Sequence, residues 1–328
     1  MQVIHLDASA LPQGILAAPE PAALTIGKFD GVHLGHVALL QAVRATAAAD
    51  GIRSAAVVLD PHPLTVLRPQ MVLRLLSSTA EKLWLLRRAG LDLVIVWKFD
   101  SATAQLGPEA FLSSLTAAVL PRALVIGPGF ALGKGRGGDE VRLRHIGAAQ
   151  GFAVQAIAPA IHPGMDVAVQ STTIRSRLTA GDVAAAGRLL GHPPTLHGRV
   201  SAGDRRGRLL GFPTANLDPL LPNPALPADG VYAGWVELRP LTAQRTWHAA
   251  VANLGVRPTF AGRRYVVEAH LLDFTGDLYG QPLRLHFAER LRGERRFAST
   301  DELQQQITAD VAAARTLLSD QMPPESSG

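Results

Sequence analysis

Short aliphatic runs alternate with helical patterns from residue 20 to about 160, and this alternation constrains the fold more than any other feature. The runs cover residues 22–26, 55–59, 93–96, 124–126 and 153–157. Between the runs, one pattern repeats apolar residues at helical spacing from Val37 to Ala47, and residues 78–81 have the STAE pattern of a capping box. Strands that alternate with helices predict an α/β doubly wound parallel sheet, whose ligands bind beyond the carboxyl ends of the strands.

The pattern changes near residue 190. The stretch from Gly191 to Pro194 ends in two prolines and cannot continue a helix, so we place the domain boundary here. Strand-like runs follow over residues 196–200, 231–238, 247–253, 265–272 and 283–287, and a helical pattern covers 301–318. We therefore predict a first domain over 1–188, a small antiparallel β-barrel with a C-terminal helix over 189–320, and a disordered tail over 321–328.

Composition narrows the class of protein. The 328 residues are enough for two domains, and no apolar run approaches the roughly 20 residues that a membrane span needs. The N-terminus has no signal-peptide pattern and cysteine is absent, so we expect a cytoplasmic protein without disulfides or membrane partners. A net charge of +5, scattered basic residues and 5% aromatic residues favour small anionic ligands over nucleic acid. We expect a monomer or a weak homo-oligomer.

The stretch from Thr25 to His36 is the first candidate site. It contains three glycines, a strand-like run that ends at Gly27, and His33 and His36 at the start of a helical pattern. Backbone N–H groups and the positive end of a helix dipole would point at a ligand here, and histidines add donors for phosphate oxygens. We therefore predict a nucleoside triphosphate site. Zinc is the main alternative, but it would need two further ligands and cysteine is absent.

Three further loops of the first half carry candidate groups. His62 lies in a DPHP sequence directly after a strand-like run. Residues 127–138 contain a formal GxGxxG, but the strand ends too early for a dinucleotide turn, so a basic cover over a phosphate or a ring fits better. Ser171 and Thr172 open a helical pattern and could cap the helix, hold a triphosphate, or do both.

The barrel half contains a glycine-rich, basic run from Gly203 to Asn216. Thr214 and Asn216 at its end offer neutral oxygens, which suit a Mg²⁺ ion shared with phosphates; a basic hairpin turn is the alternative. Glu268 lies within a strand-like run, where a carboxylate is costly unless it is used. It is a candidate general base, and a salt-bridge partner for an arginine is the alternative.

These residues resemble the prokaryotic bifunctional riboflavin kinase/FMN adenylyltransferase (FAD synthetase) family over about residues 15 to 320. The matching segments are HxGH at 33–36, an ISSTxIR-like segment at 170–175, GxPTAN at 211–216, VEAH at 267–270 and DLYG at 277–280. In the second segment, Val169 and Gln170 replace the leading Ile-Ser of the family. The resemblance implies a nucleotidyltransferase domain followed by a riboflavin kinase barrel.

For the first domain, the resemblance implies adenylylation of FMN to FAD with release of pyrophosphate. His33 and His36 would bind the ATP phosphates and stabilise charge as the FMN phosphate attacks. The other residues implied to bind ATP are Gly27, Phe29, Asp30, Gly35, Ser171, Thr172 and Arg175. The residues implied to bind the flavin are His62 and Phe130.

For the barrel, the resemblance implies phosphorylation of riboflavin to FMN with ATP and Mg²⁺. Glu268 would take the proton from the riboflavin 5′-hydroxyl. The residues implied to bind ATP are Gly203, Arg208, Gly211, Thr214 and Asn216, of which Thr214 and Asn216 would also hold the metal. Asn253 and Arg292 would bind the flavin. The partners are therefore the small molecules riboflavin, FMN and ATP, with FAD as a product.

Four residues depart from the family pattern. Gly129 stands where Asp or Asn is usual, Leu132 replaces a Phe, Lys28 replaces an Asn, and Leu59 replaces an aromatic residue. These changes cluster where the flavin of the first domain is expected. The alternative function is therefore a riboflavin kinase whose first domain has a weakened or changed adenylyltransferase activity.

Overall fold

A computed structural model describes residues 1–7, 19–162, 164–165, 167–203, 206–240, 242–259 and 262–324. The chain divides into two compact units. The first comprises Met1–Leu73 with Ser78–Gln170, and the second comprises Arg74–Ser77 with Ser171–Gly328. Among the described residues, no helix has the length and apolar character that crossing a membrane requires.

The first unit contains a six-stranded parallel sheet. Its strands are β1 (Gln2–Asp7), β2 (Pro21–Gly27), β3 (Arg53–Asp60), β4 (Leu93–Lys98), β5 (Leu120–Ile126) and β6 (Ala153–Ala156), in the order β1-β4-β3-β2-β5-β6. The helices are α1 (Leu34–Asp50), α2 (Pro63–Leu67), α3 (Thr79–Arg88), α4 (Ser101–Gln105), α5 (Pro108–Leu115) and α6 (Glu140–Gln150). The five predicted strands are present, and the edge strand β1 is an addition.

Helices cover both faces of this sheet. Leu115 of α5 and Leu143 of α6 are buried against one face, and Leu40 of α1 and Leu86 of α3 are buried against the other. Burial of both faces explains why the strands are continuous apolar runs rather than alternating ones. The prediction of a doubly wound sheet is confirmed. The capping box is also present: the Ser78 N–H donates to the Glu81 carboxylate at 2.8 Å, and Ser78 Oγ accepts from the Glu81 N–H.

The second unit contains the predicted antiparallel barrel. Its strands are β7 (Thr195–Ser201), β8 (Ala215–Pro219), β9 (Gly230–Leu238), β10 (Thr246–Thr259), β11 (Gly262–Leu271) and β12 (Pro282–Arg292), closed in the order β10-β11-β8-β7-β12-β9. The helices are α7 (Ser171–Thr179), α8 (Val183–Leu190), α9 (Arg206–Leu209) and α10 (Thr300–Ser319). The barrel and its C-terminal helix are confirmed, and β8 is an addition.

The predicted domain boundary and the compact units divide the chain at different places. The main segment of the second unit begins at Ser171, so α7 and α8 cluster with the barrel. The prediction instead assigns residues up to 188 to the first domain. That assignment stays a prediction. Of the predicted tail, residues 325–328 lie outside the described residues, and α10 ends at Ser319 before it.

A buried ionic network lies on the outer face of the barrel. The Arg284 guanidinium donates to Glu237 from Nε at 2.7 Å, and His286 Nε2 lies 3.3 Å from the same carboxylate oxygen. Burial raises the pKa of Glu237, but hydrogen bonds from His286 and Arg284 outweigh it and bring that pKa to about 2. Burial lowers the pKa of His286 to about 4, against the opposing effect of Glu237. His286 is therefore neutral near pH 7.

This network makes the barrel sensitive to acid. An unfolded histidine has a pKa near 6.5, so between pH 6.5 and about 4 the unfolded chain binds a proton that folded His286 does not. Stability must therefore fall as the pH falls through this range, by about 2 kcal/mol between pH 7 and pH 5 from this residue. We expect His286→Phe to reduce the pH dependence of urea unfolding by that amount.

The control for this experiment is His145→Phe on the exposed surface of α6. It should leave the difference between pH 7 and pH 5 unchanged. An unaltered difference in His286→Phe would contradict the assignment.

Candidate active sites

The loop between β2 and α1 has an unusual backbone. Phe29, Gly31 and Val32 all adopt left-handed conformations, with φ of 48°, 83° and 40°. Such a conformation costs of order 1–3 kcal/mol at a residue with a side chain, so surrounding contacts must hold it. Phe29 and Val32 are buried, and the Phe29 ring lies where a Cβ on Gly27 would come within 3.0 Å. Gly27 and Phe29 are both predicted to bind ATP. In the structure, the two residues pack against each other and shape the loop, and the Phe29 side chain is wholly buried.

His33 holds the start of α1. It is the N-cap, and its Nδ1 accepts the backbone N–H of His36 at 3.3 Å. Because Nδ1 accepts, neutral His33 carries its proton on Nε2. The two imidazole rings stack, with centroids 3.7 Å apart. Gly35 permits this packing, since a Cβ there would lie 3.0 Å from the Val169 carbonyl and 3.1 Å from His33 Nδ1.

Positive charge concentrates around His36. Burial lowers its pKa well below the ordinary value, and the charges of His33, Lys28 and Lys82 lower it further. His36 Nδ1 is buried and has no hydrogen-bond partner within the part of the chain that the structure describes. The neutral His36 imidazole, two lysines and a helix N-terminus form an environment that favours a polyanion. The structure therefore brings His33, His36 and Gly35 together as predicted.

Lys82 is a functional candidate that the sequence analysis missed. It lies on α3 and is buried, as is Asp30 of the β2–α1 loop. Burial lowers the pKa of Lys82, whereas the carboxylates of Asp30 and Asp60 raise it. Asp60, at the end of β3, accepts a hydrogen bond from Thr79 Oγ1 at 2.7 Å. Lys82 thus couples electrostatically to two loops at the carboxyl ends of neighbouring strands.

The two predicted flavin contacts of the first unit have structural roles. His62 is buried and caps α2, because its Nδ1 accepts the Leu64 N–H at 3.2 Å. Phe130 packs against the sheet core, in the turn that follows β5. Their contacts with a flavin stay predictions.

The glycine loop after β5 owes its glycines to packing. Added Cβ atoms at Gly133 and Gly138 would each come within 2.7 Å of Pro108, at the start of α5. Close contact with Pro108 therefore explains two of the three glycines of the formal GxGxxG, and the third, Gly135, has a left-handed φ of 64°. Gly129 differs: its φ is 63° and an added Cβ would meet nothing within 4 Å. The Arg136 guanidinium donates to the Gly129 carbonyl at 2.7 Å, which holds this part of the loop.

The remaining predicted triphosphate residues belong to the second unit. Ser171 and Thr172 occupy the first turn of α7, and Arg175 follows one turn later. Arg175 Nε donates to the carbonyl of Arg74 at 2.6 Å. This hydrogen bond ties α7 to the short segment Arg74–Ser77 of the same unit. Their binding of a triphosphate stays a prediction.

In the barrel, strand register places three predicted site residues, Asn216, Glu268 and Asn253, in one row with Ser201. Ser201 on β7 pairs with Asn216 on β8, Asn216 pairs with Glu268 on β11, and Glu268 pairs with Asn253 on β10. Directly paired residues of antiparallel strands point to the same face, so these four side chains share one face. Asn253 also pairs with Val231, which packs under α10, so this is the outer face of the barrel.

Ser201 was not predicted from the sequence. Its Oγ is buried and lacks a hydrogen-bond partner among the described residues. A serine in a strand-like run gives no signal by itself. Its position opposite Asn216 follows only from the pairing of β7 with β8.

Glycines of the basic run let the chain close over this row. A Cβ on Gly203 would lie 2.2 Å from the Asn216 amide, and one on Gly207 would lie 2.4 Å from the Phe212 carbonyl and 3.3 Å from Thr214 Oγ1. Gly211 has a φ of 86°. The backbone therefore passes directly over the side chains of Thr214 and Asn216. Their neutral oxygens fit Mg²⁺, which keeps most of its water and prefers oxygen ligands.

Two further residues fix the edges of this site. His270 Nδ1 lies 2.8 Å from the Pro213 carbonyl, which ties β11 to the signature loop. Arg292 pairs with Val231, so it continues the row, but its guanidinium binds both carboxylate oxygens of Asp310 on α10. The structure thus uses Arg292 to hold α10, and its flavin contact stays a prediction. Arg208 is exposed on α9.

Together, these features define a protein with two modules, each of which holds a candidate phosphate site. Residues 15–173 match the family model described as FAD synthetase, and residues 190–318 match the one described as riboflavin kinase. The chain is 39% identical over 300 residues to the bifunctional riboflavin kinase/FMN adenylyltransferase of Escherichia coli K12, covering 91% of this chain and 93% of that protein. The enzyme of the same name from Pseudomonas fluorescens is also 39% identical, with 89% and 92% covered.

A solved structure supports the fold of both modules. It is described as a macrolide-efflux protein from Streptococcus pneumoniae, and it superposes with a TM-score of 0.82 at 28% identity. The superposition covers 95% of this chain and 99% of that one. By its identity to curated relatives over nearly their whole length, this chain belongs to the bifunctional riboflavin kinase/FMN adenylyltransferase family.

The cap of α1 generates a prediction about His33. We expect His33→Ala to remove the acceptor for the His36 N–H and to cost about 1 kcal/mol of local stability. His33→Asn keeps a good capping acceptor and should cost much less. Hydrogen exchange of the His36 amide, measured by NMR, distinguishes the two. Equal loss of protection in both variants would show that His33 does not cap the helix.

Proposed function

We propose that this chain makes FAD from riboflavin in two steps. The barrel phosphorylates riboflavin to FMN with ATP, and the first module adenylylates FMN to FAD. The observation that carries the proposal is the row of paired residues on β7, β8, β11 and β10. This row sets Glu268 between Asn216 and Asn253 on one face of the barrel. A carboxylate flanked by two amides can accept a proton while its neighbours hold the reacting groups.

In the kinase step, Glu268 accepts the proton of the riboflavin 5′-hydroxyl. The 5′-oxygen forms a bond to the γ-phosphorus of ATP, the bond between that phosphorus and the bridging oxygen breaks, and ADP leaves. Thr214 and Asn216 hold the phosphates and would hold Mg²⁺, which neutralises phosphate charge when bound. Gly203 and Gly207 let the loop backbone approach those phosphates closely, as Gly203 already approaches Asn216.

In the adenylyl transfer, a phosphate oxygen of FMN attacks the α-phosphorus of ATP and pyrophosphate leaves. The His33 Nε2–H group and the N-terminus of α1 donate to phosphate oxygens, and Lys28 adds positive charge. These groups are oriented before the substrate binds, so they stabilise charge without reorganisation. No covalent intermediate is required. From the family resemblance, Ser171, Thr172 and Arg175 are also proposed to bind ATP.

A specific observation favours a second candidate function, a riboflavin kinase with a weakened first module. Gly129 has no side chain at a position open to solvent, where the family has Asp or Asn. Leu132 is buried in the sheet core, so it fills space but offers no aromatic ring. On this alternative, the chain makes FMN rapidly and FAD slowly or not at all.

The proposal also covers partners, location and oligomeric state. We propose that the chain binds the small molecules riboflavin, FMN and ATP and no nucleic acid. We further propose that it is a cytoplasmic monomer or weak homo-oligomer.

The two activities can be tested separately. With riboflavin, ATP and Mg²⁺, we expect chromatography to show FMN and then FAD. Glu268→Gln should slow FMN formation about 10³-fold by removing the base, yet leave FAD formation from supplied FMN unchanged. His36→Ala should do the reverse. Each variant is thus the folding control of the other.

The outcomes discriminate between the candidates. FMN without FAD from the unaltered chain would favour the second function. Loss of both activities in one variant would contradict two separate sites. If neither product formed, both functions would be wrong.

The close approach of Gly203 to Asn216 makes a further prediction. Gly203→Ala should displace the Asn216 amide and reduce kcat/KM for FMN formation by at least about tenfold, an effect of ~1.4 kcal/mol. Gly293→Ala is the matched control in the same unit, since its Cβ would meet its nearest atom at 3.7 Å. Initial rates of FMN formation measure both. Full activity of Gly203→Ala would show that the loop need not approach Asn216 so closely.

A further inference from the structure

A lysine is buried where helix α3 packs on the parallel sheet. Lys82 is 1% exposed, and it lies four residues before Leu86, which is buried in the apolar cluster between α1, α3 and the sheet. Residues four apart share one face of a helix, and their side chains lean toward the helix N-terminus. The ammonium of Lys82 therefore lies at the N-terminal end of the buried face of α3. A buried ammonium is costly unless carboxylates lie close to it.

Two carboxylates compensate this charge. Burial lowers the pKa of Lys82, and the carboxylates of Asp30 and Asp60 oppose that effect. Asp30 is itself 1% exposed and lies in the β2–α1 loop, between the left-handed residues Phe29 and Gly31. The attraction to Lys82 thus supplies one of the interactions that hold this strained loop.

Asp60 connects the same lysine to a second loop. It is the last residue of β3, and its carboxylate accepts a hydrogen bond from the Thr79 hydroxyl of α3 at 2.7 Å. Strands β2 and β3 are parallel neighbours, and Gly27 pairs with Val58 near their carboxyl ends. The two loops therefore begin side by side, and Lys82 attracts a carboxylate at each.

These loops carry candidate groups of the first module. The β2–α1 loop leads into His33 and His36, and the β3–α2 loop contains His62. In the proposed reaction, the first loop binds ATP and the second contacts FMN. The relative position of the loops therefore determines how the FMN phosphate meets the α-phosphorus.

We propose that Lys82 is a positioning residue for adenylyl transfer, because its buried charge holds the β2–α1 loop and the β3–α2 loop in one fixed arrangement. Lys82 acts through Asp30 and Asp60 and does not itself contact a substrate. This inference rests on the proposed function of the first module. Alignment of reacting groups contributes strongly to a reaction rate, and a misplacement of about 1 Å can cost about 10²-fold.

The first test measures how firmly the loops are held, without any reaction. Lys82→Met removes the charge and keeps an unbranched apolar stem. Hydrogen exchange of the full chain, followed by mass spectrometry without nucleotide or flavin, should become at least about tenfold faster in residues 28–36 and 60–65. The matched control is Lys98→Met, since Lys98 is an exposed lysine of the same unit that pairs with Asp7. It should leave exchange in both loops unchanged.

The second test measures FAD formation from supplied FMN and ATP. We expect Lys82→Met to lower kcat about 100-fold, with the KM values for ATP and FMN changed by less than about threefold. Each substrate still binds its own loop, but their alignment is lost. A direct phosphate contact would instead raise a KM value. A purely structural role would lower the midpoint of unfolding without changing kcat of the folded chain. FMN formation by the barrel should be unchanged.

A double-mutant cycle tests the route through Asp60. Asp60→Asn removes the negative charge but keeps an oxygen that accepts the Thr79 hydroxyl. By itself it should lower kcat for FAD formation about tenfold, within the range of coupled neighbours. Added to Lys82→Met it should have almost no further effect, because the charge that Asp60 attracts is already gone. Effects that multiply would show that the two residues act independently and would overturn the proposal.

Unchanged exchange in both loops of Lys82→Met would also overturn the proposal, as would an unaltered kcat. Should Lys82→Met fail to fold, Asp60→Asn decides, because it is isosteric and should itself speed exchange in both loops. If the unaltered chain makes no FAD from FMN, the proposed function of the first module is wrong. The exchange measurements then still decide whether Lys82 holds the loops together.

Discussion

The barrel depends on the pairing of β10 with β11. This register sets Glu268 opposite Asn253, and the pairing of β11 with β8 then sets Asn216 on the other side of Glu268. A shift of one residue would turn Glu268 to the interior face, which Val267 and Ala269 now occupy. An unpaired carboxylate in that interior would cost several kcal/mol. The same packing that stabilises the barrel therefore also fixes the orientation of the proposed base.

The first module positions its candidate site in a different way. Its loop residues Phe29 and Val32 hold left-handed backbone conformations that only their burial can maintain. This strained loop ends at His33, which caps α1 and stacks on His36. A helix N-terminus and two oriented imidazoles result, and both are proposed to act on phosphates through fixed dipoles. In the barrel, long-range strand pairing positions the site; in this module, local backbone geometry does so.

Local patterns were enough to predict most of the fold. Alternation of strands and helices predicts the parallel sheet, and a run of strands followed by one helix predicts the barrel. The missed strands have physical reasons. β1 is an edge strand with exposed residues on one face, and β8 is a five-residue strand that begins inside the signature loop. Edge position and short length both weaken the apolar pattern on which strand prediction rests.

The sites were predictable as residue types but not as geometry. His33, His36, Thr214, Asn216 and Glu268 stand out by chemistry and spacing. The cap and ring stacking of His33 depend on left-handed non-glycine residues, which no sequence pattern indicates. Lys82 was missed because a lysine in an amphipathic helix is ordinarily solvated, whereas here it is buried beside two carboxylates. Ser201 joins the row only through pairing between distant strands.

The left-handed backbone at Gly129 bears on which side chains this position can accept. Gly129 has a φ of 63°, and among residues with a side chain Asn and Asp tolerate this conformation best; these are the residues that the family resemblance leads us to expect there. The main chain therefore retains a shape that would accept the missing polar group, and the surrounding space is open. The departure is chemical rather than conformational.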